Sequence, residues 1–280
     1  MNFMTPQVKV STVKITPQMA AQMLLKNTQN RKISKPHVSD MVRDMLAGNW
    51  QQNGDTIRFD WNDELVDGQH RLKAIVESGI SMICVVIRGL DPSAMKTIDS
   101  GKKRSYGDRL TIRGMKNANR FGPTINLLSY ICGVGGSDTQ TFKVGHGLTP
   151  SEMDDIMNAH PLLYRSIEAT HKAFPSCENI LAALHYIGCY QDNERLADSF
   201  VQVWRDGQAT YKYDAAVYAR EWFIRDGART RRTNHYGRKM IVVNSFNRFM
   251  AQQPMRTSKG ATSLKVHGFT QADLFTGKAH

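Results

Sequence analysis

No apolar run in this chain approaches the roughly 20 residues that cross a bilayer, so no membrane partner is expected. Residues Met1 to Lys14 lack the charged-then-apolar layout of a signal peptide, and a cytoplasmic location is the expectation that follows. Cysteine is scarce. The four present, Cys84, Cys132, Cys177 and Cys189, show no paired metal-ligand spacing, and Cys84 lies inside the apolar run Met82 to Ile87, so all read as core thiols. A Walker lysine loop, a serine elbow and a His/Cys metal cluster are also missing, which removes the commonest signatures of NTPases, serine hydrolases and zinc sites. Histidines such as His160 and His185 stand alone on helical patterns and read as core or surface residues, not ligands.

The most informative absence is of negative charge. Between Gly227 and Ala272 there is no Asp or Glu, while Arg229, Arg231, Arg232, Arg238, Lys239, Arg248, Arg256, Lys259 and Lys265 all occur. The net charge of +12 is divided unevenly: residues 1–120 hold 19 basic against 11 acidic residues, 121–226 hold 8 against 13, and 227–280 hold 10 against 1. A solubilising basic surface usually mixes in some acid, so this run reads as the footprint of a polyanion binder. Its candidate nucleic-acid contacts are Arg229, Arg231, Arg232, Arg238 and Lys239. Tyr236 is a candidate for stacking on bases, whereas core packing is the expected use of Phe246.

With 41% hydrophobic residues over 280 positions, the chain can bury one large or two medium cores. Alternation at Val8, Val10 and the Val13/Ile15 pair predicts a strand, and Thr16-Pro17 then opens a helix to about Lys26. Ser34 is placed to cap a helix whose Val38, Met41, Val42, Met45 and Leu46 recur at helical spacing, with Gly48 as its stop. Strands are predicted at Thr56 to Phe59, Leu65-Val66 and Met82 to Arg88, with a helix to about Ser78 before the last. Beyond about Gly107 the patterns are helical: a capping box at Thr149-Pro150-Ser151-Glu152, then Leu162 to Lys172, Ile180 to Tyr190, Asn193 to Trp204 and Ala215 to Phe223. Five glycines mark Gly133 to Gly147 as a connection, and no internal repeat or heptad seam is present.

Asp67-Gly68-Gln69-His70-Arg71 stands between the strand Leu65-Val66 and that motif helix. A strand, a tight turn at glycine and a helix start together make a phosphate-binding arrangement, because the first helical N–H groups and the positive end of the helix face the turn. Arg71 adds a planar fork and His70 a donor or acceptor set by its protonation. The competing reading is an ordinary β-turn with Asp67 as helix cap. A second basic loop, Ile98-Asp99-Ser100-Gly101-Lys102-Lys103-Arg104-Ser105, could wrap phosphates, with Asp99 holding magnesium beside them.

Gly-Gln-His-Arg-Leu-Lys-Ala at 68–74 follows Asn30-Arg31, the helix Pro36 to Leu46, Gly48-Asn49-Trp50 and the strand Thr56 to Phe59. In that order these features resemble the ParB/sulfiredoxin superfamily over roughly the first 115 residues. Sulfiredoxin carries a catalytic cysteine just before the histidine-arginine pair; Gln69 stands there in this chain, which removes the nucleophile for sulfinic acid reduction. In ParB proteins the matching regions hold the triphosphate of CTP. The resemblance therefore implies a phosphate site of Arg31, Gly68, Gln69, His70 and Arg71, to which the second loop adds Lys102, Lys103 and Arg104. Gln69 also replaces the usual Glu, and neither the third nucleotide motif nor a helix-turn-helix is recognisable, so a sliding CTP clamp is not expected. More similar are ParB-like proteins with an Asp-Gly-Gln-His-Arg signature from bacteriophages, mobile elements and DNA-modification loci, which implies a bacterial or phage-infected host cell.

The expected fold class is α+β: a ParB/sulfiredoxin-like nucleotide-binding domain with a small mixed sheet (1–106), an all-α helical domain (107–250) and a basic tail (251–280). The expected function is a DNA-associated protein that binds a nucleoside triphosphate, CTP or ATP, with slow hydrolysis left open and magnesium near Asp67 and Asp99. The alternative is an enzyme of the same class, either a phosphotransferase or a nuclease. Its base would come from Asp55, Asp67 or Asp99, and the catalytic candidates inside the motif are Asp67, Gln69 and His70. DNA and a nucleotide are the expected partners, with homodimer formation left open.

Overall fold

The computed structural model describes residues 7–28, 30–96, 98, 104–133, 147–227, 235–257 and 264–277. It is mixed α+β with a small four-stranded mixed sheet and twelve α-helices among the described residues. The chain divides into two compact units, Met1–Lys103 with His146–Ser151, and Arg104–Gly145 with Glu152–His280.

In the first unit, β1 (Lys9–Ile15), β2 (Thr56–Asp60), β3 (Leu65–Asp67) and β4 (Met82–Leu90) line up in the order β1-β4-β2-β3. The outer pairs are antiparallel, with Lys9 opposite Arg88 and Arg58 opposite Asp67, while β2 runs parallel to β4 with Ile57 opposite Val86. Three helices accompany the sheet: α1 (Pro17–Leu24), α2 (Lys35–Leu46) and α3 (Gln69–Ser78). Each contributes one apolar stripe to a core that joins Ala20, Val38, Met45, Leu72 and Ile75 to Ile15, Ile57, Phe59, Leu65 and Val86 of the sheet. Parallel strands need a crossover, and β3 with α3 makes the connection from β2 to β4. The start of α3 is therefore fixed at the end of β3, beside β2.

Two predicted caps take other forms. Thr16 does accept from the Met19 N–H at 3.2 Å, but Ser34 makes no side-chain cap bond at α2; its own N–H donates to His70 Nε2 at 3.0 Å. Asp67 does not cap α3 either. It is the last residue of β3, its Oδ1 accepts from the adjacent Gly68 N–H at 2.7 Å, and Gly68 is the N-cap.

Among the described residues the second unit is entirely helical. It contains α4 (Tyr106–Ile112), α5 (Phe121–Ile131), α7 (Leu163–Ala169), α8 (Glu178–Tyr190), α9 (Glu194–Asp206), α10 (Ala215–Gly227), α11 (His235–Met250) and α12 (Gln271–Thr276); α6 (Pro150–Ala159) begins at the predicted proline. The hub is α8, buried from Ile180 to Gly188 and packed against α5, α7, α9 and α11. Gly188 permits the approach of α9, because a Cβ there would lie 2.7 Å from that of Ala197.

The segment 251–280 is not a free tail in its described part. Met255, Leu264, Val266, Phe269 and Leu274 are all buried, and Thr270 with Asp273 forms a complete capping box at α12. Five apolar side chains spaced along a basic stretch drive it onto the helical core in spite of its charge. No helix among the described residues is long and apolar enough to cross a membrane.

A cleft at the start of α3 as candidate functional site

Gly68 has φ +100°, in the left-handed region, and a Cβ built there would sit 3.0 Å from Ile57 Cγ1 and 3.1 Å from Ile57 Cα. Glycine is required for two separate reasons: the backbone sign and the contact with β2. That turn brings the first turn of α3 to the rim of a cleft of about 250 Å³, lined by Asn30, Arg31, Val66, Asp67, Gln69, His70, Met95 and Ile98. Of the predicted phosphate site, Arg31, Gln69 and His70 line this cleft, and they do not share one role.

Arg31 lines the cleft with an exposed side chain. Gln69 is only 4% exposed and acts as a brace: its Nε2 donates to the Arg31 carbonyl at 2.8 Å and its Oε1 accepts from Asn27 Nδ2 at 3.0 Å. Asn30 completes the brace by donating to Leu65 O at 2.5 Å and to Asn27 Oδ1 at 2.7 Å. His70 lines the cleft, but its Nε2 is an acceptor from the Ser34 N–H, which fixes that nitrogen unprotonated and the ring proton on Nδ1. His37 meets the His70 ring edge-on at 5.1 Å.

Arg71 is the main departure. Its guanidinium turns away from the cleft, donates to the Thr56 carbonyl and faces Asp55 Oδ2 at 3.7 Å. The fork read from the sequence as a phosphate grip is used to fasten α3 to the start of β2. Asp67 faces both ways: Oδ1 holds Gly68 N–H, and Oδ2 lies 3.8 Å from Arg58 Nε, whose hydrogen bond goes to Thr56 Oγ1 at 2.6 Å.

Lys102, Lys103 and Asp99 lie outside the described residues, as do Arg229, Arg231 and Arg232. Arg104 is described but belongs to the second unit. Arg238 and Lys239 are half-buried on α11 and line a cavity of that unit. Phe246 is core, 1% exposed and 5.1 Å from the Phe200 ring. Asn27 and Met95 were missed by sequence reasoning, whereas Asn30 stands beside Arg31 in the resemblance and Ile98 opens the second basic loop.

Asp67 is the one acidic side chain of the described cleft lining, which Arg31 shares, and its Oδ2 lies 3.8 Å from Arg58 Nε. Such a lining suits the phosphate part of a ligand, held by Arg31 and the first-turn N–H groups of α3, and its volume is below the roughly 300 Å³ of a site that encloses a whole small molecule. For magnesium, Asp67 offers one carboxylate oxygen not bonded to Gly68; a phosphate-bridging ion needs one or two carboxylates, so the donor type fits.

Away from the cleft, the second unit contains a chain from buried Ser166 Oγ to buried His185 Nδ1 at 2.9 Å, and from His185 Nε2 to Oδ1 of the exposed Asp198 at 2.9 Å. The arrangement has the residue types of a hydrolase triad, but Ser166 is 1% exposed and lines none of the cavities described, so it serves to satisfy a buried histidine. All four cysteines are free thiols, and burial pushes each up, Cys132 and Cys177 to about 12 and Cys189 to about 11; the pull of Arg71 only partly offsets burial at Cys84. They are protonated at neutral pH and make poor nucleophiles.

No family model, curated protein or solved structure matches this chain.

Proposed function

We propose that the first unit is a ParB/sulfiredoxin-like phosphate-binding module, and that the protein binds a nucleoside triphosphate there in association with DNA. The observation that carries the reading is the double requirement for Gly68, which holds the α3 first turn against the cleft that Arg31 lines. The same chemistry applies to CTP and ATP. The base and sugar would extend beyond the described cleft, since its volume accommodates the phosphates.

Binding is favoured over group transfer. Of the catalytic candidates, Gln69 is committed to Asn27 and the Arg31 carbonyl, His70 Nε2 is committed to Ser34, and Asp67 is held by Gly68 beside Arg58. An enzyme of the kinase or nuclease type needs a carboxylate base near its acceptor, and Asp55 is instead paired with Arg71, which does not line the cleft.

The test is titration of the full chain with each ribonucleoside triphosphate, with and without magnesium and duplex DNA, followed by product analysis. Arg31→Ala removes a charge-assisted contact and should weaken triphosphate binding by roughly tenfold or more. Triphosphate affinity unchanged in Arg31→Ala would refute the assignment, and rapid turnover would replace binding by catalysis.

A further inference from the structure

Two loops of the second unit are tied into one surface: 207–214, between α9 and α10, and 251–257, after α11. The Met255 N–H donates to the Tyr213 carbonyl at 3.1 Å, and the Tyr211 hydroxyl donates to the Gln253 carbonyl at 3.1 Å while accepting from the Ala215 N–H at 3.1 Å. Met255, only 2% exposed, anchors the second loop in the core. The surface is therefore fixed from beneath.

Tyr213 is the residue that this surface does not explain. Its φ is +60°, in the left-handed region, where a bulky side chain is strained. Burying the ring would offset that strain, yet Tyr213 is 49% exposed. Its ring is met by two exposed cations: the Arg256 guanidinium carbon lies 4.1 Å from the centroid and Lys212 Nζ 5.4 Å from it. Exposed cation–π contacts return no more than the left-handed backbone costs, so folding alone does not select a tyrosine here.

The chemistry around the ring is that of a polyanion site. Asp214, the one acidic residue of 207–214, is 3% exposed and spent on local donors: its Oδ1 accepts from the Ala216 N–H at 2.8 Å, and its Oδ2 from the Thr210 N–H at 2.8 Å and hydroxyl at 2.9 Å. The second loop contains no acid and belongs to the acid-free basic run between Gly227 and Ala272, which the α3 cleft leaves unused. The exposed neighbours Gln208, Thr210, Gln252 and Gln253 are polar, so the ring is not part of an apolar patch of the kind that docks a protein.

We infer that Tyr213 is a stacking platform for an unpaired base of single-stranded nucleic acid. Arg256 backs the ring and, with Lys212, brings positive charge to the phosphates on either side of the stacked base. Stacking uses a π-face that every base has, so the site reads little sequence; a duplex keeps its bases stacked on one another and offers the ring no free face. The inference rests on the nucleic-acid association proposed above and not on the triphosphate cleft.

The test is fluorescence anisotropy of the full chain with a labelled short oligothymidylate and with a duplex of the same length, at one low salt concentration. The single strand should bind, Tyr213→Phe should retain that affinity, and Tyr213→Gly should weaken it roughly tenfold or more. Glycine is at ease at φ +60°, so Tyr213→Gly should keep or raise the melting temperature while binding falls, a combination that a structural role for the ring does not produce. In the wild-type protein, light-induced crosslinking from an oligothymidylate carrying iodouracil, mapped by mass spectrometry, should fall on Tyr213. The inference is overturned, with the association intact, if the duplex binds and the single strand does not, if Tyr213→Gly binds the single strand as tightly as the wild type, or if the crosslink falls only on other residues. A lowered melting temperature in Tyr213→Gly overturns it as well, since the ring then serves the fold. If neither nucleic acid binds, the inference and the association it rests on fall together.

Discussion

Gly68→Ala should be among the most damaging single-methyl changes in the first unit, and Gly79→Ala provides its internal control. Both glycines flank α3, with φ +100° and +72°. Alanine at either position carries the left-handed penalty, about 1–2 kcal/mol. Around Gly79 nothing lies within 4 Å of the added Cβ, so the backbone cost is the whole cost there. At Gly68 the Cβ meets Ile57 Cγ1 at 3.0 Å and Ile57 Cα at 3.1 Å, and β2 cannot recede because β4 and β3 hold it on both sides. Overpacking against a fixed neighbour adds about 1–3 kcal/mol. The expected losses are therefore about 1–2 kcal/mol for Gly79→Ala and about 2–5 kcal/mol for Gly68→Ala. Native-state hydrogen exchange of amides in β2 and α3 reports the first unit separately from the helical unit. If Gly68→Ala costs no more than Gly79→Ala, the close approach is not what selects glycine, and the rigid placement of the α3 start against the cleft loses its basis.

Arg71→Ala should destabilise the first unit by about 1.5–3 kcal/mol through the hydrogen bond to the Thr56 carbonyl, while Asp55→Ala, removing a 3.7 Å pair to a half-exposed carboxylate, should cost under about 1 kcal/mol; denaturation midpoints of the two variants check the ranking, and equal losses would contradict it. Gln69→Glu places a carboxylate oxygen against the Arg31 carbonyl, where Nε2 now donates at 2.8 Å, and should cost about 1–3 kcal/mol in the same assay; a neutral result would show that the brace is not needed. For His160, burial lowers the pKa against the opposing pull of Leu274 O and Asp273. The unfolded chain then binds the extra proton first, so stability rises with pH from the lowered folded value to about 6.5 and is lost on acidification through that window. His160→Gln keeps a donor and an acceptor without this titration, and its melting temperature should fall less than the wild type's between about pH 7 and pH 5; parallel curves would refute the assignment.

The parts of the fold that could be read from the sequence are those whose pattern is local. In α2 the residues Val38 and Met45 lie on a periodic stripe and are buried, and Thr16-Pro17 opens α1 where the cap and proline predict. By contrast α5 was not delineated, because Phe121, Ile125, Leu127, Leu128 and Ile131 are buried along with Gly122, Thr124 and Ser129, and a helix buried nearly all round has no polar face to reveal its period. In α11 the basic residues attracted the reading, although Ile241, Val242, Val243, Phe246 and Phe249 form the buried face that places it.

The same division explains the candidate site. A motif fixes residue types at a turn, and the conformation of Gly68 follows from local sterics, so the strand, turn and helix start were legible. Where a guanidinium ends up is decided by acceptors remote in sequence: Thr56 for Arg71 at 15 positions, Ile167 for Arg120 at 47. A buried or half-buried arginine goes to the carbonyl that would otherwise lack a donor, since leaving such a group unsatisfied costs about 1–3 kcal/mol, more than an exposed contact to a solvated anion returns. Arg31 differs because Gln69 and Asn30 satisfy the carbonyls around it, at Arg31 itself and at Leu65. Its side chain is left at the cleft because the neighbouring amides have already met the local demand for donors, and that makes Arg31, rather than the arginine of the motif, the residue on which anion binding should depend.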